Sequence, residues 1–160
     1  MIYFNKLTLV TLLFFSFTYL FSQQKIDTKL SYEEIENKIE EHHNDSKIMW
    51  KYINTYIKKA KQEKNTEALL YAYRYASVYS EYPKSTKYSD SAIIIGESSK
   101  NKEYITSAYI NRGQIFMREN YYQRAIDDIL KANKLSYEIG NEYIIFKTIY
   151  LLAQNKMYLS

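Results

Sequence analysis

Between residues 49 and 60, apolar side chains recur at i, i+3, i+4, i+7, i+8 and i+11, through Met49, Tyr52, Ile53, Tyr56, Ile57 and Ala60. At the 3.6-residue period of an α-helix this spacing gathers all six on one face. The period returns along most of the chain, and little interrupts it, since 160 residues contain 3 Gly and 1 Pro. An all-α fold of helix after helix is therefore expected. The 19 Tyr supply wide side chains that fill the space between helix layers and still need a polar partner for the hydroxyl. A hydrophobic fraction of 46% provides for one domain-sized core and argues against a disordered chain. The absence of Cys excludes disulfide scaffolds and cysteine zinc sites.

The helix signals divide the chain into seven segments. Ser31 with Glu34 is a capping box for a first helix over 32–43, on which Tyr32, Ile35 and Ile39 form a narrow stripe. Asp45 or Ser46 caps the second, and Asn65 and Thr66 open a third that runs to Tyr79 with Leu69, Ala72, Tyr73 and Ala76 on one face. Pro83 marks the next connection, and a fourth helix is expected over 87–99. The fifth covers 102–118. The sixth starts after Glu119 and Asn120, carries Tyr122, Ala125, Ile126, Ile129 and Ala132, and ends at Gly140 as a left-handed cap. The seventh covers 141–158.

The N-terminus stands apart. Leu7 to Phe21 is an uncharged run, preceded by Lys6 and followed by Ser22 and Gln23, which is the pattern of a cleavable signal peptide. The run is short for a permanent span, which needs about 20 residues. Residues 1–22 are thus expected to be a signal peptide and 23–160 the mature domain of an exported, periplasmic or otherwise extracytoplasmic protein. Whether the leader is cleaved or kept as an anchor is left open by the pattern. Its removal takes away only Lys6, so the net charge of +4 barely changes and favours no particular partner. The cluster Lys58, Lys59, Lys61 and Lys64 sits at a helix C-terminus, where cations suit the helix dipole, so no nucleic-acid contact is expected.

Internal repetition narrows the fold further. The segments YIKKAK, YSDSAI and ILKANK place Ala60, Ala92 and Ala132 at equivalent points, and KNKEYI at 100 returns as GNEYII at 140. In residues 106–139, Tyr109, Gly113, Phe116, Ala125, Ile129 and Ala132 occupy aromatic, small and large positions whose order and spacing resemble the 34-residue tetratricopeptide repeat. Arg112 and Tyr137 depart from that pattern, where Leu and Pro are usual. The resemblance implies a right-handed α-α superhelix of about three hairpins plus an unpaired seventh helix. The ordered segments over 31–158 also resemble the extracytoplasmic repeat region of membrane-anchored AraC-type bacterial regulators.

Catalytic chemistry is not assembled. His42 and His43 are the only histidines, and as neighbours on a helix they point about 100° apart, so they make no chelate. The series Glu33, Glu34, Glu36, Glu40 and Glu41 reads as a solvated outer face, and Asp127 with Asp128 is expected to face away from the core. Without a nucleophile, phosphate loop or metal set, no enzyme, cofactor or metal is expected. A surface remains. The repeat resemblance implies a concave groove carrying Ser107, Ile110, Asn111, Gln114, Met117 and Arg118, with Tyr73 as the counterpart in the middle unit. Of these, Tyr73, Asn111, Gln114 and Arg118 are the candidate contacts for a protein or peptide. The expected function is a noncatalytic peptide-binding module, or alternatively the sensor part of a membrane-anchored regulator whose DNA-binding domain is elsewhere. The seventh helix carries two adjoining stripes: Phe146, Tyr150, Ala153 and Met157 form one, and Ile145, Ile149 and Leu152 the other. One stripe is expected to pack on the sixth helix. The other is expected to stay exposed for self-association or for docking a further C-terminal segment.

Overall fold

The computed structural model describes residues 29–159. The expected signal peptide lies outside the described residues. The chain divides into two units, Met1–Leu30 and Ser31–Ser160, and the fold of the second is all-helical. Its seven helices are α1 (Tyr32–Glu41), α2 (Ser46–Gln62), α3 (Thr66–Val78), α4 (Lys84–Ser99), α5 (Lys102–Arg118), α6 (Tyr122–Ile139) and α7 (Glu142–Leu159). Each packs on the next, and α3 also meets α5. Connections of two to five residues leave successive helices antiparallel, so α1, α3, α5 and α7 run in one direction and α2, α4 and α6 in the other.

Most helix starts are those the sequence announces. Ser31 and Glu34 close the capping box in both directions, at 3.1 and 2.6 Å. Asp45 accepts the amide of Ile48. The fourth helix begins at Lys84 rather than Lys87, directly behind Pro83, whose own carbonyl already accepts from the Lys87 amide. A proline is tolerated there because the first helical amides need no partner within the helix.

One turn recurs three times. Lys64, Lys100 and Gly140 adopt left-handed backbone angles, with φ of 52, 56 and 75°, and each is followed by an Asn that caps the next helix. The Oδ1 of Asn65 accepts from Ala68, that of Asn101 from Glu103 and Tyr104, and that of Asn141 from Ile144. The left-handed residue reverses the chain, and the Asn satisfies an amide that the new helix leaves open. These turns open α3, α5 and α7.

The core forms where small residues let helices approach. Ala60, Ala92 and Ala132, the equivalent alanines of the sequence repeat, are all buried, on α2, α4 and α6. Gly113 on α5 faces Ile129 on α6 so closely that a Cβ there would stand 2.5 Å from the Ile129 Cδ1. Ala125, Ile129 and Ala132 have no exposed surface, Tyr109 is almost fully covered, and Phe116 is half-buried. All six repeat-like residues are thus on the packed side of the α5–α6 hairpin.

Tyrosines bridge the layers by pairing with carboxylates on other helices. Tyr56 donates to Glu36, Tyr32 to Glu63, and Tyr109 to Glu97. Burial above all, with the adjacent carboxylates adding to it, pushes the Tyr32, Tyr75 and Tyr109 hydroxyls up to about 12. The Glu face of α1 is therefore not wholly a solvated one, since Glu36 and Glu40 accept from Tyr56 and Tyr79.

Two expectations are corrected. Asp128 is buried rather than turned away from the core. It takes two hydrogen bonds from Arg112, at 2.7 and 2.8 Å, while Arg112 also donates to Asp90 at 2.7 Å. These bonds, Asp128 foremost, hold the guanidinium charged well above its usual range. The departure from the repeat pattern at Arg112 is matched by this buried acid. On α7, neither expected stripe supplies the packed line, which is Thr148, Leu151 and Asn155. Thr148 accepts from Asn133 of α6 at 2.8 Å, so this contact is partly polar and escapes a reading based on apolar residues alone.

Candidate functional site

A cleft of about 350 Å³ opens among the three parallel helices α3, α5 and α7. Because Asn65, Asn101 and Asn141 cap these helices in the same way, equivalent positions line the cleft. The second residue after each cap is Glu67, Glu103 or Tyr143, and the sixth is Tyr71, Ser107 or Lys147. Arg74 completes it on α3, one turn below Tyr71. A helix surface returns every three to four residues, so the positions that face outward on one unit do so on the next.

The cleft is electrically two-ended. Glu67 and Glu103 lie in the first turns of their helices, and the Tyr104 hydroxyl donates to Glu67 at 3.3 Å. Arg74 and Lys147 lie further down. Burial first, and then the nearby positive charge of Arg74, push the Lys147 ammonium below its ordinary value. An ammonium whose charge is penalised by burial and by a neighbouring guanidinium marks a place where an anion is favoured. Tyr143 stands level with the two acids, and Tyr71 and the Ser107 hydroxyl level with Lys147, with both tyrosine side chains exposed.

The residues singled out from the sequence are distributed differently. Asn111 does line the cleft, but it is buried and its Nδ2 donates to Ser77 Oγ at 3.0 Å, so it serves as floor rather than as a free donor. Arg118 reaches back to α3, donating to the carbonyls of Val78 at 2.7 Å and Ser80 at 2.9 Å. It closes the helix end instead of facing a ligand. Ile110 is buried, Met117 packs against the core cluster, and Gln114 is exposed outside the cleft lining. Tyr73 leans on the same core, its ring 6.1 Å from that of Tyr88 on α4. Of the groove set, Ser107 stands in the cleft with an exposed side chain. Glu67, Tyr71, Arg74, Glu103 and Lys147 were missed, although counting from the three Asn caps brings four of them into register.

Among the described residues no group of three or more His, Asp or Glu could hold a metal ion. His42 stacks on Tyr52 at 5.9 Å and the His43 ring contacts the Glu40 carbonyl at 2.7 Å, both at the end of α1. No described helix is long and apolar enough to cross a membrane. The chain matches no family model, no curated protein and no solved structure.

Proposed function

We propose that this chain is a noncatalytic, tetratricopeptide-like binding module that holds an extended protein segment in the α3–α5–α7 cleft. The observation that carries the reading is the repetition of lining positions. Three helices with the same cap and the same direction present equivalent outward positions side by side, which is how stacked helical repeats build a concave surface. The volume suits a few side chains of an extended segment rather than a large cofactor.

Charge specifies the segment. An acidic side chain belongs against Arg74 and Lys147, a basic one against Glu67 and Glu103, and an apolar or aromatic one between Tyr71 and Tyr143. Glu67 and Arg74 are two helical turns apart, roughly 10 Å along the axis, which an extended chain covers in about three residues. The preferred ligand is thus a segment with opposite charges three residues apart. Export of the module rests on the uncharged run from Leu7 to Phe21.

Fluorescence anisotropy with a panel of such peptides tests the reading. Peptides bearing both charges should bind, neutral ones should not, and Arg74→Glu should weaken binding at least tenfold while leaving the melting curve in place. Equal binding of all peptides, or none by any, would overturn it.

A further inference from the structure

Large apolar side chains face solvent at scattered points of the described surface, such as Ile94 on α4 and Leu130 on α6, but on α7 they converge. Thr148, Leu151 and Asn155 face inward. On the opposite side, Tyr143 is 73% exposed, Phe146 70%, Tyr150 66% and Met157 78%. With Ala153, these residues follow one another at alternating intervals of three and four, through 143, 146, 150, 153 and 157. That is the spacing of a coiled-coil seam over two heptads, and no charged residue interrupts it.

We propose that α7 is the seam of a parallel, two-fold dimer, with a second copy of this chain as its occupant. In a parallel pair every seam residue meets its own counterpart, so all five layers are used. The flanking positions agree. No like charges meet across the seam, since Ile149 falls beside the neutral Gln154. Ala153, next to the central Tyr150 along the seam, is small enough to let two helices come close.

The area is sufficient. Given roughly 200 Å² to bury for each large side chain, Tyr143, Phe146, Tyr150 and Met157 with Ile149 offer on the order of 600 Å² per copy. That exceeds the single apolar patches common on monomers once flanking residues are added, and it approaches the roughly 800 Å² per partner of a stable interface.

The natural absence of Cys gives a clean test. In the full chain, Ala153→Cys should form a disulfide with its counterpart under mild oxidation and run at twice the monomer mass, whereas Lys87→Cys, on α4, should not. Adding Phe146→Glu should abolish the Ala153→Cys crosslink and shift wild-type sedimentation from dimer to monomer, with an unchanged helical circular-dichroism spectrum. A wild-type monomer at the highest attainable concentration would refute the proposal. So would a dimer that survives Phe146→Glu, or one that Ala153→Cys fails to crosslink.

Discussion

Substituting Gly113 by Ala places one methyl group where α5 and α6 touch. Built on the backbone, that Cβ lies 2.5 Å from Ile129 Cδ1, 2.9 Å from Ile129 Cγ1 and 3.4 Å from the Ala125 carbonyl. Ordinary carbon contacts need about 3.5–4.0 Å, and Ile129 has no exposed surface into which to retreat. Overpacking of this kind costs about 1–3 kcal/mol, offset by the roughly 1 kcal/mol that Ala gains over Gly inside a helix. A net loss of about 1 kcal/mol is expected, and Gly113→Leu should lose more. Ile129→Val deletes the clashing Cδ1 and by itself costs about 0.5–1.5 kcal/mol through the space it leaves. In the double variant the new methyl occupies that space and only the 2.9 Å approach to Cγ1 remains, so the combined loss should be smaller than the sum of the two single losses. Urea denaturation of the four proteins, with equal slopes, measures the coupling. Strictly additive effects, or a stabilised Gly113→Ala, would refute the packing assigned to this hairpin.

Arg112→Leu restores the residue usual in the repeat but strands the buried Asp128, so it should destabilise by about 3–5 kcal/mol. Adding Asp128→Ala should recover most of the loss, as thermal melts would show. In alkaline titration, Tyr32, Tyr75 and Tyr109, pushed up to about 12, keep their protons while the unfolded chain loses them from about pH 10. Stability is therefore fully present below about pH 10 and lost as pH rises through about 12. Phenolate absorbance of the folded chain should lag behind that of the urea-unfolded one, and identical curves would contradict the buried tyrosine–carboxylate pairs. Lys100→Gly, at a φ of 56°, should stabilise by about 0.5–1 kcal/mol by relieving left-handed strain, measured as a raised Tm.

The helices were legible because their signals are local. Caps at Ser31, Asp45 and Asn65, the left-handed Gly140, and the apolar period of α2 each act within one or two turns. The repeat-like packing of Gly113 against Ile129 was also readable, since small and large residues alternate at fixed spacing. Asp128 was not. Its burial depends on Arg112 and Asp90 from two other helices, and no local pattern joins the three. The bonding of the groove residues was not legible for a related reason. Asn111 and Arg118 have the chemistry of ligand contacts, but Ser77 and the carbonyls of Val78 and Ser80 already use them. Polar residue type marks a donor and does not say who receives from it. The packed side of α7 was hidden because Thr148 and Asn155 interrupt its apolar line, whereas Phe146, Tyr150, Ala153 and Met157 form an unbroken apolar line on the exposed side.

The claim that binding occurs among α3, α5 and α7 is tested most directly by mapping backbone amide shifts of the isotope-labelled chain while an acid–base peptide is titrated in. The account predicts perturbations concentrated at 67–74, 103–111 and 141–147, removed by Ser107→Trp, which fills the cleft. Shifts confined to the outer faces of α2, α4 and α6, or unaltered by Ser107→Trp, would contradict it.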